Sequence, residues 1–263
     1  MRPVRRWLAM DLHVHTVLSA CAEAEMLPPL IVERALELGL GAVAITDHNS
    51  AENAGAVQAA AEGSGLVVFP GLEVFTREEV DLLAIFGDED SALRMQALVY
   101  QALGEAENRP EFFGEQILVD AEGRPCGENR RLLQAATALS VENAVASVHR
   151  LGGMVLAAHV DRPARSLIAS LGFVPPELDL DGIEVSPRAD PEAVMSQHPD
   201  LGRFGVGVFS DAHRLSEMGA RTWLWLEAPE LDQVKRCFRD ASGTMVRVAG
   251  NNSVGRVRQG NGC

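Results

Sequence analysis

Five of the seven histidines sit in short motifs that also carry acids: His13 and His15 in DLHVHT, His48 in ITDHN, His159 in AAHVD and His213 in SDAH. In an extended segment, residues two apart point the same way, so His13 and His15 present two imidazoles to one point. Glu73, in PGLE, and Asp211, beside His213, add carboxylates. Nitrogen and oxygen donors without thiolates suit Zn²⁺, Mn²⁺ or Fe²⁺ better than Ca²⁺ or a structural zinc. The candidates outnumber the needs of one ion, so two or three divalent metals are expected. Glu73 is the best candidate for a bridging carboxylate.

These residues must be placed by strands. Short apolar runs at 8–13, 42–46, 66–69, 80–86, 154–158, 182–185, 205–209 and 222–226 read as strands. Between them, 28–38, 50–62, 88–106, 140–151 and 229–240 read as helices, the first opened by proline and closed by Gly39. Alternating strands and helices imply βαβ units and a mostly parallel sheet. With no obvious linker, a closed barrel is expected, and each histidine motif then falls at a strand's C-terminal end on one rim, where barrel active sites lie. The expected organisation is one barrel domain over 1–243 with a less regular insertion around 88–138. Residues 244–263 read as a C-terminal strand or a loose, polar tail.

The chain has 263 residues and a formal net charge of −14. Its field repels polyanions, so no stable binding of duplex DNA is expected, and a phosphorylated substrate must be drawn by a local feature. No apolar run approaches the ~20 residues that span a bilayer. The four cysteines are scattered, without a CxxC pair, which argues against a disulfide framework and points to a reducing cytoplasm. Cys21 reads as a small buried filler rather than a ligand.

Taken in order, DLHVHT, ITDHN, PGLE, AAHVDRP and SDAH resemble the polymerase-and-histidinol-phosphatase (PHP) family over about residues 9–226. The resemblance implies a distorted seven-stranded (β/α) TIM-like barrel, a two- or three-metal site and hydrolysis of phosphate esters. It implies His13, His15, His48, Glu73, His159, Asp211 and His213 as ligands, with Glu73, Asp211 and His213 also carrying the catalysis. Asp47 then reads as a partner that orients an imidazole or caps its loop. Two departures stand out. Where the family commonly carries an aspartate after the second histidine, this chain has Ala20 and an acidic insertion, and sliding the gap puts Glu23 in the ligand role or leaves it a solvated acid. Where the family usually has a histidine soon after the bridging glutamate, this chain has Asp81, a metal ligand or a partner of Arg77 or of a ligand histidine.

Arg162, Arg165 and Arg188 follow strand ends on the same rim, where a guanidinium grips phosphate well. The expectation is a metal-dependent phosphoesterase acting on a small phosphomonoester or nucleotide through an activated water. An exonuclease acting on the 5′ or 3′ end of short oligonucleotides, and a catalytically silent metal-binding module, are the alternatives. An amidohydrolase with a metal-bridging lysine is disfavoured, because the single lysine, Lys235, lies late in an expected surface helix. The sequence does not specify an oligomeric state.

Overall fold

The architecture follows from where apolar faces can be buried. The structure, a computed structural model, describes residues 4–240 and 242–249. In chain order the elements are β1 (Arg6–Val14), α1 (Pro28–Glu37), β2 (Ala42–Ile45), α2 (Ala54–Ala60), β3 (Val67–Phe75), β4 (Asp81–Ile85), α3 (Glu89–Ala102) and α4 (Pro110–Phe113). There follow β5 (Ile117–Val119), β6 (Pro125–Glu128), α5 (Val141–Arg150), β7 (Met154–Ala157), α6 (Leu167–Leu171), β8 (Gly182–Val185) and α7 (Pro191–Gln197). The chain ends with β9 (Gly205–Val208), β10 (Thr222–Leu226), α8 (Leu231–Arg239) and β11 (Val246–Val248). Most of the expected 244–263 tail lies outside the described residues. No described helix is long and apolar enough to cross a membrane.

Nine strands form one sheet in the order β11-β10-β1-β2-β3-β4-β7-β8-β9. It curls until the chain beyond β9 meets β1: Ala212 bridges Val14, and His15 N–H donates to the Ala212 carbonyl at 3.0 Å. The barrel is therefore nearly closed at the histidine rim. Its interior holds Met10, Leu12, Ala44, Phe69, Leu83, Met154, Leu156 and Phe209. α8 plugs the far end, where Lys235 Nζ donates to the Gly153 carbonyl just before β7. Helices cover the outside. α1, for instance, buries Pro28, Ile31, Val32 and Ala35, the one-sided spacing of an amphipathic helix, and each buried Ile or Val contributes ~1.5–3 kcal/mol.

The expectation of a mostly parallel sheet needs correction. β1–β2, β2–β3, β7–β8 and β8–β9 are parallel, but β3–β4, β4–β7, β1–β10 and β10–β11 are antiparallel. The run at 66–69 is the start of a longer strand that continues through PGLE and turns directly into β4 as a hairpin. The insertion expected to be less regular around 88–138 contains the β5–β6 hairpin and leans on the rim: Ile117 N–H donates to the Val17 carbonyl at 3.1 Å, and Asn49 Nδ2 donates to the carbonyls of Leu133 and Ala135.

Candidate metal centre

The rim residues converge because strand irregularities aim them inward. In β1 the register slips between Asp11 and Val14. Met10 and Leu12 face the barrel interior, yet Val14 packs in the outer layer under the helices. The slip resets the alternation, so His13 and His15 point inward while Asp11 stays outside and accepts the Ser210 and Gly219 N–H groups. His159 and Asp211 adopt left-handed backbone, φ 29° and 49°, immediately beyond β7 and β9. Such strain persists where surrounding structure enforces it, commonly at functional sites.

Three overlapping groups result: His15, His48 and His213; His13, His15, Glu73 and Asp211; and Glu73, Asp81 and His159. Within each, one donor atom per residue lies within 4.8 Å of the others. The Nε2 atoms of His13 and His15 are 3.1 Å apart, and each is 3.1 Å from Asp211 Oδ1. Glu73 stands in the middle, 2.7 Å from His48 Nδ1, 3.1 Å from His159 Nε2 and 3.5 Å from His13 Nε2. Glu73 and Asp81 are each only 1% exposed. Asp81 reaches the rim from the N-terminal end of β4, which is possible only because that strand runs backwards.

The backs of the rings are held so that their inner nitrogens face the centre. His13 Nδ1 meets both Glu184 oxygens, at 3.0 and 3.1 Å. Ser19 Oγ donates to Asp47 at 2.7 Å and so accepts from His15 Nδ1 at 2.9 Å. His213 Nδ1 donates to the Asp211 carbonyl at 2.9 Å. Each bond fixes a tautomer whose Nε2 is free to bind a cation. Asp47 also takes the Thr16 N–H and hydroxyl, so it caps the 16–19 loop.

Charge reinforces the picture. Burial opposes charging His13, but the carboxylates of Glu184, Asp211 and Glu73 outweigh it and hold its pKa well above the usual imidazole range. His48 is likewise raised against its burial, chiefly by Glu73. Burial also opposes ionisation of Glu73, yet His48 and His13 keep it well below the usual carboxylate range. Asp81 is pushed up to about 6 by burial and by Glu73, with Arg165 opposing. His159 Nδ1 is buried without a hydrogen-bond partner among the described residues. A buried cluster of imidazoles and carboxylates converging on one carboxylate fits divalent cations.

Other expected residues fall elsewhere. Glu23 is exposed, lies outside all three groups and faces Arg214 at 3.4 Å. Cys21 stands at the centre's edge instead. Far from being a buried filler, it is exposed, with Sγ 3.3 Å from His48 Nε2. Desolvation opposes its ionisation, but hydrogen bonds from His213 and His48 bring the thiol down to about 6. Arg165 holds Asp81 through two bonds, 2.7 and 2.9 Å, while Arg77 pairs with Glu78. Arg162 pairs with Asp211. Arg188 is exposed at the rim. Sequence reasoning missed Glu184, although an acid inside the apolar strand GIEV was a signal, since a fully buried carboxylate requires a partner.

The PHP domain family model matches residues 11–179, which is more than half of the chain. No curated protein sequence matches. Endonuclease Q from Pyrococcus furiosus, described as lesion-specific, aligns with a TM-score of 0.66 at 17% identity, covering 92% of this chain and 58% of that one. An endonuclease Q complex with a 27-mer duplex bearing an abasic lesion aligns at TM-score 0.58 and 17% identity, covering 88% of this chain and 56% of that one. A Bifidobacterium adolescentis protein assigned as a metal-dependent phosphoesterase aligns at TM-score 0.55 and 22% identity, covering 87% and 95%. At these identities the likeness is one of fold. This chain spans under two thirds of the length of the endonuclease Q chains.

Proposed function

The chain belongs to the PHP domain family, and on that premise we propose that it is a metal-dependent hydrolase of phosphoester bonds. One observation carries the reading: four buried imidazoles and the Asp211 carboxylate, from four separate chain segments, converge around Glu73. We assign His13, His15, His48, Glu73, His159, Asp211 and His213 as ligands to two or more divalent ions, with Glu73 bridging, and Asp81 as a further ligand at the β4 end. Glu23 has no such support. Bound divalent ions would polarise a phosphoryl group and acidify water towards neutral pH.

The chain's own residues do the rest. Asp211, held ionised by His13 and His15 against its burial, orients the attacking water by accepting its hydrogen bond. Arg188 receives the outer phosphate oxygens from solvent. Arg162, anchored on Asp211, stands beside it as a second donor. Arg165 is committed to Asp81 and serves to hold that carboxylate in place rather than to meet substrate.

A small phosphomonoester or nucleotide in the cytoplasm is the reading we favour for the substrate, because the chain carries a net charge of −14. The endonuclease Q likeness favours one alternative, a nucleic-acid phosphodiester. Its complex holds a duplex, so acidity alone does not dispose of that alternative. Turnover of mononucleotides, other phosphomonoesters, short single strands and a lesion-bearing duplex, assayed side by side with and without metal, tests this reading. Turnover confined to nucleic acid would refute it.

A further inference from the structure

We propose that Cys21 is itself a metal ligand, a thiolate completing a site with His48 and His213 at the solvent edge of the centre. The proposal rests on the metal-centre reading above and refines it. Its geometry has three independent parts.

The sulfur is where a ligand should be. His48 turns Nδ1 towards Glu73 Oε2 and Nε2 towards Cys21 Sγ, 3.3 Å away. His213 spends Nδ1 on the Asp211 carbonyl, which leaves Nε2 as its free donor, and its ring lies beside both His15 and His48.

The loop that carries Cys21 is fixed in that place. Ala22 N–H donates to the Ser19 carbonyl at 2.8 Å, and Glu23 N–H donates to the carbonyl of His213 itself at 2.8 Å. On the other side Gly114 packs so closely that a Cβ there would stand 2.2 Å from the Ala20 carbonyl oxygen. The backbone thus clamps Cys21 against the two rings, while the Glu23 side chain turns away to Arg214.

The neighbourhood asks for a cation. His15, His48 and His213 hold donor atoms within 4.8 Å of one another, and the fully buried Glu73 Oε2 sits on the far side of His48, 2.7 Å from its Nδ1. On binding, the S–H bond breaks, the sulfur–metal bond forms and the proton leaves to solvent. Thiolate with imidazole selects zinc or iron, whereas the Glu73–Asp81–His159 end, richer in carboxylate, suits a harder ion. The two ends of the centre would therefore differ in metal preference.

Cobalt(II) is the probe. The full chain, depleted of metal and titrated with cobalt(II), should develop a sulfur-to-cobalt charge-transfer band in the near ultraviolet alongside the visible ligand-field bands. Cys21→Ser should keep the ligand-field bands and lose the charge-transfer band. In parallel, zinc should slow alkylation of Cys21 in proportion to occupancy, followed by peptide mass spectrometry so that the exposed Cys126 serves as internal control. Ligand-field bands without the charge-transfer band, with alkylation unchanged by zinc, overturn the thiolate assignment and leave the metal-centre reading standing. Absence of all cobalt bands overturns both.

Discussion

Glu184 takes the Nδ1 proton of His13 between its two carboxylate oxygens, at 3.0 and 3.1 Å, and both side chains are fully buried. One Glu184 oxygen also accepts the His159 N–H at 2.9 Å. A single carboxylate thus sets the tautomer of one proposed ligand and the strained backbone of another.

Glu184→Gln should therefore leave the fold intact yet weaken metal binding roughly 10- to 100-fold, the usual effect of losing a partner behind a ligand histidine. Equilibrium dialysis against a competing chelator, with thermal unfolding as a control for the fold, measures it. Unchanged zinc content would mean that Glu184 serves packing alone.

Arg188→Ala should raise KM for a phosphomonoester roughly tenfold with kcat nearly kept, the signature of losing one charge-assisted bond present in both ground and transition states. Arg165→Ala should instead lower metal content, because Asp81 loses both of its fixed donors. Steady-state kinetics and elemental analysis on the same preparations separate the two roles.

Gly71→Ala tests why a glycine precedes Glu73. A Cβ there would stand 2.6 Å from the Ala84 carbonyl oxygen and 3.2 Å from Thr46 Cγ2, so the β3–β4 hairpin must shift. Denaturant titration should show a loss of ~1–3 kcal/mol, and metal content should fall with it.

Asp181 governs stability at the opposite end of the barrel. It accepts from Val155 N–H at 2.8 Å, from His149 Nε2 at 3.0 Å and from Arg239. Burial opposes its ionisation, but these donors, with Lys235, hold its pKa below the usual range. A carboxylate depressed in the folded state adds stability above its unfolded pKa of ~3.9 and loses it as pH falls through the folded value. Asp181→Asn should cost about 1–3 kcal/mol at pH 7, and the gap to the parent should narrow below pH ~4. A gap independent of pH would contradict the assignment.

The histidines of the centre were legible because imidazole and carboxylate at strand ends are rare for any other reason. His13, His15, His48, His159 and His213 all meet there. The direction of β4 was not legible: TREEV at 76–80 carries no glycine or proline to mark a hairpin, so nothing in the expected strand 80–86 showed that Asp81 begins a strand running backwards from the rim. Glu184 hid inside an apolar strand whose register no local pattern reveals. The places of Cys21, beside His48, and of Glu23, facing Arg214, were not legible because the loop's course depends on bonds from distant segments, notably Glu23 N–H to the His213 carbonyl. Lys235, by contrast, lies away from the centre at the plugged end, bonded to the Gly153 carbonyl.

Metal dependence can be measured on the protein itself. The protein is stripped with a chelator, its zinc, manganese and iron are counted, and hydrolysis of a generic phosphomonoester is followed as each ion is restored. The protein should hold two or more ions per chain, lose turnover on stripping and recover it on reloading, with His13→Ala incapable of recovery. Turnover that survives complete removal of metal, or a chain that binds none, would contradict metal dependence.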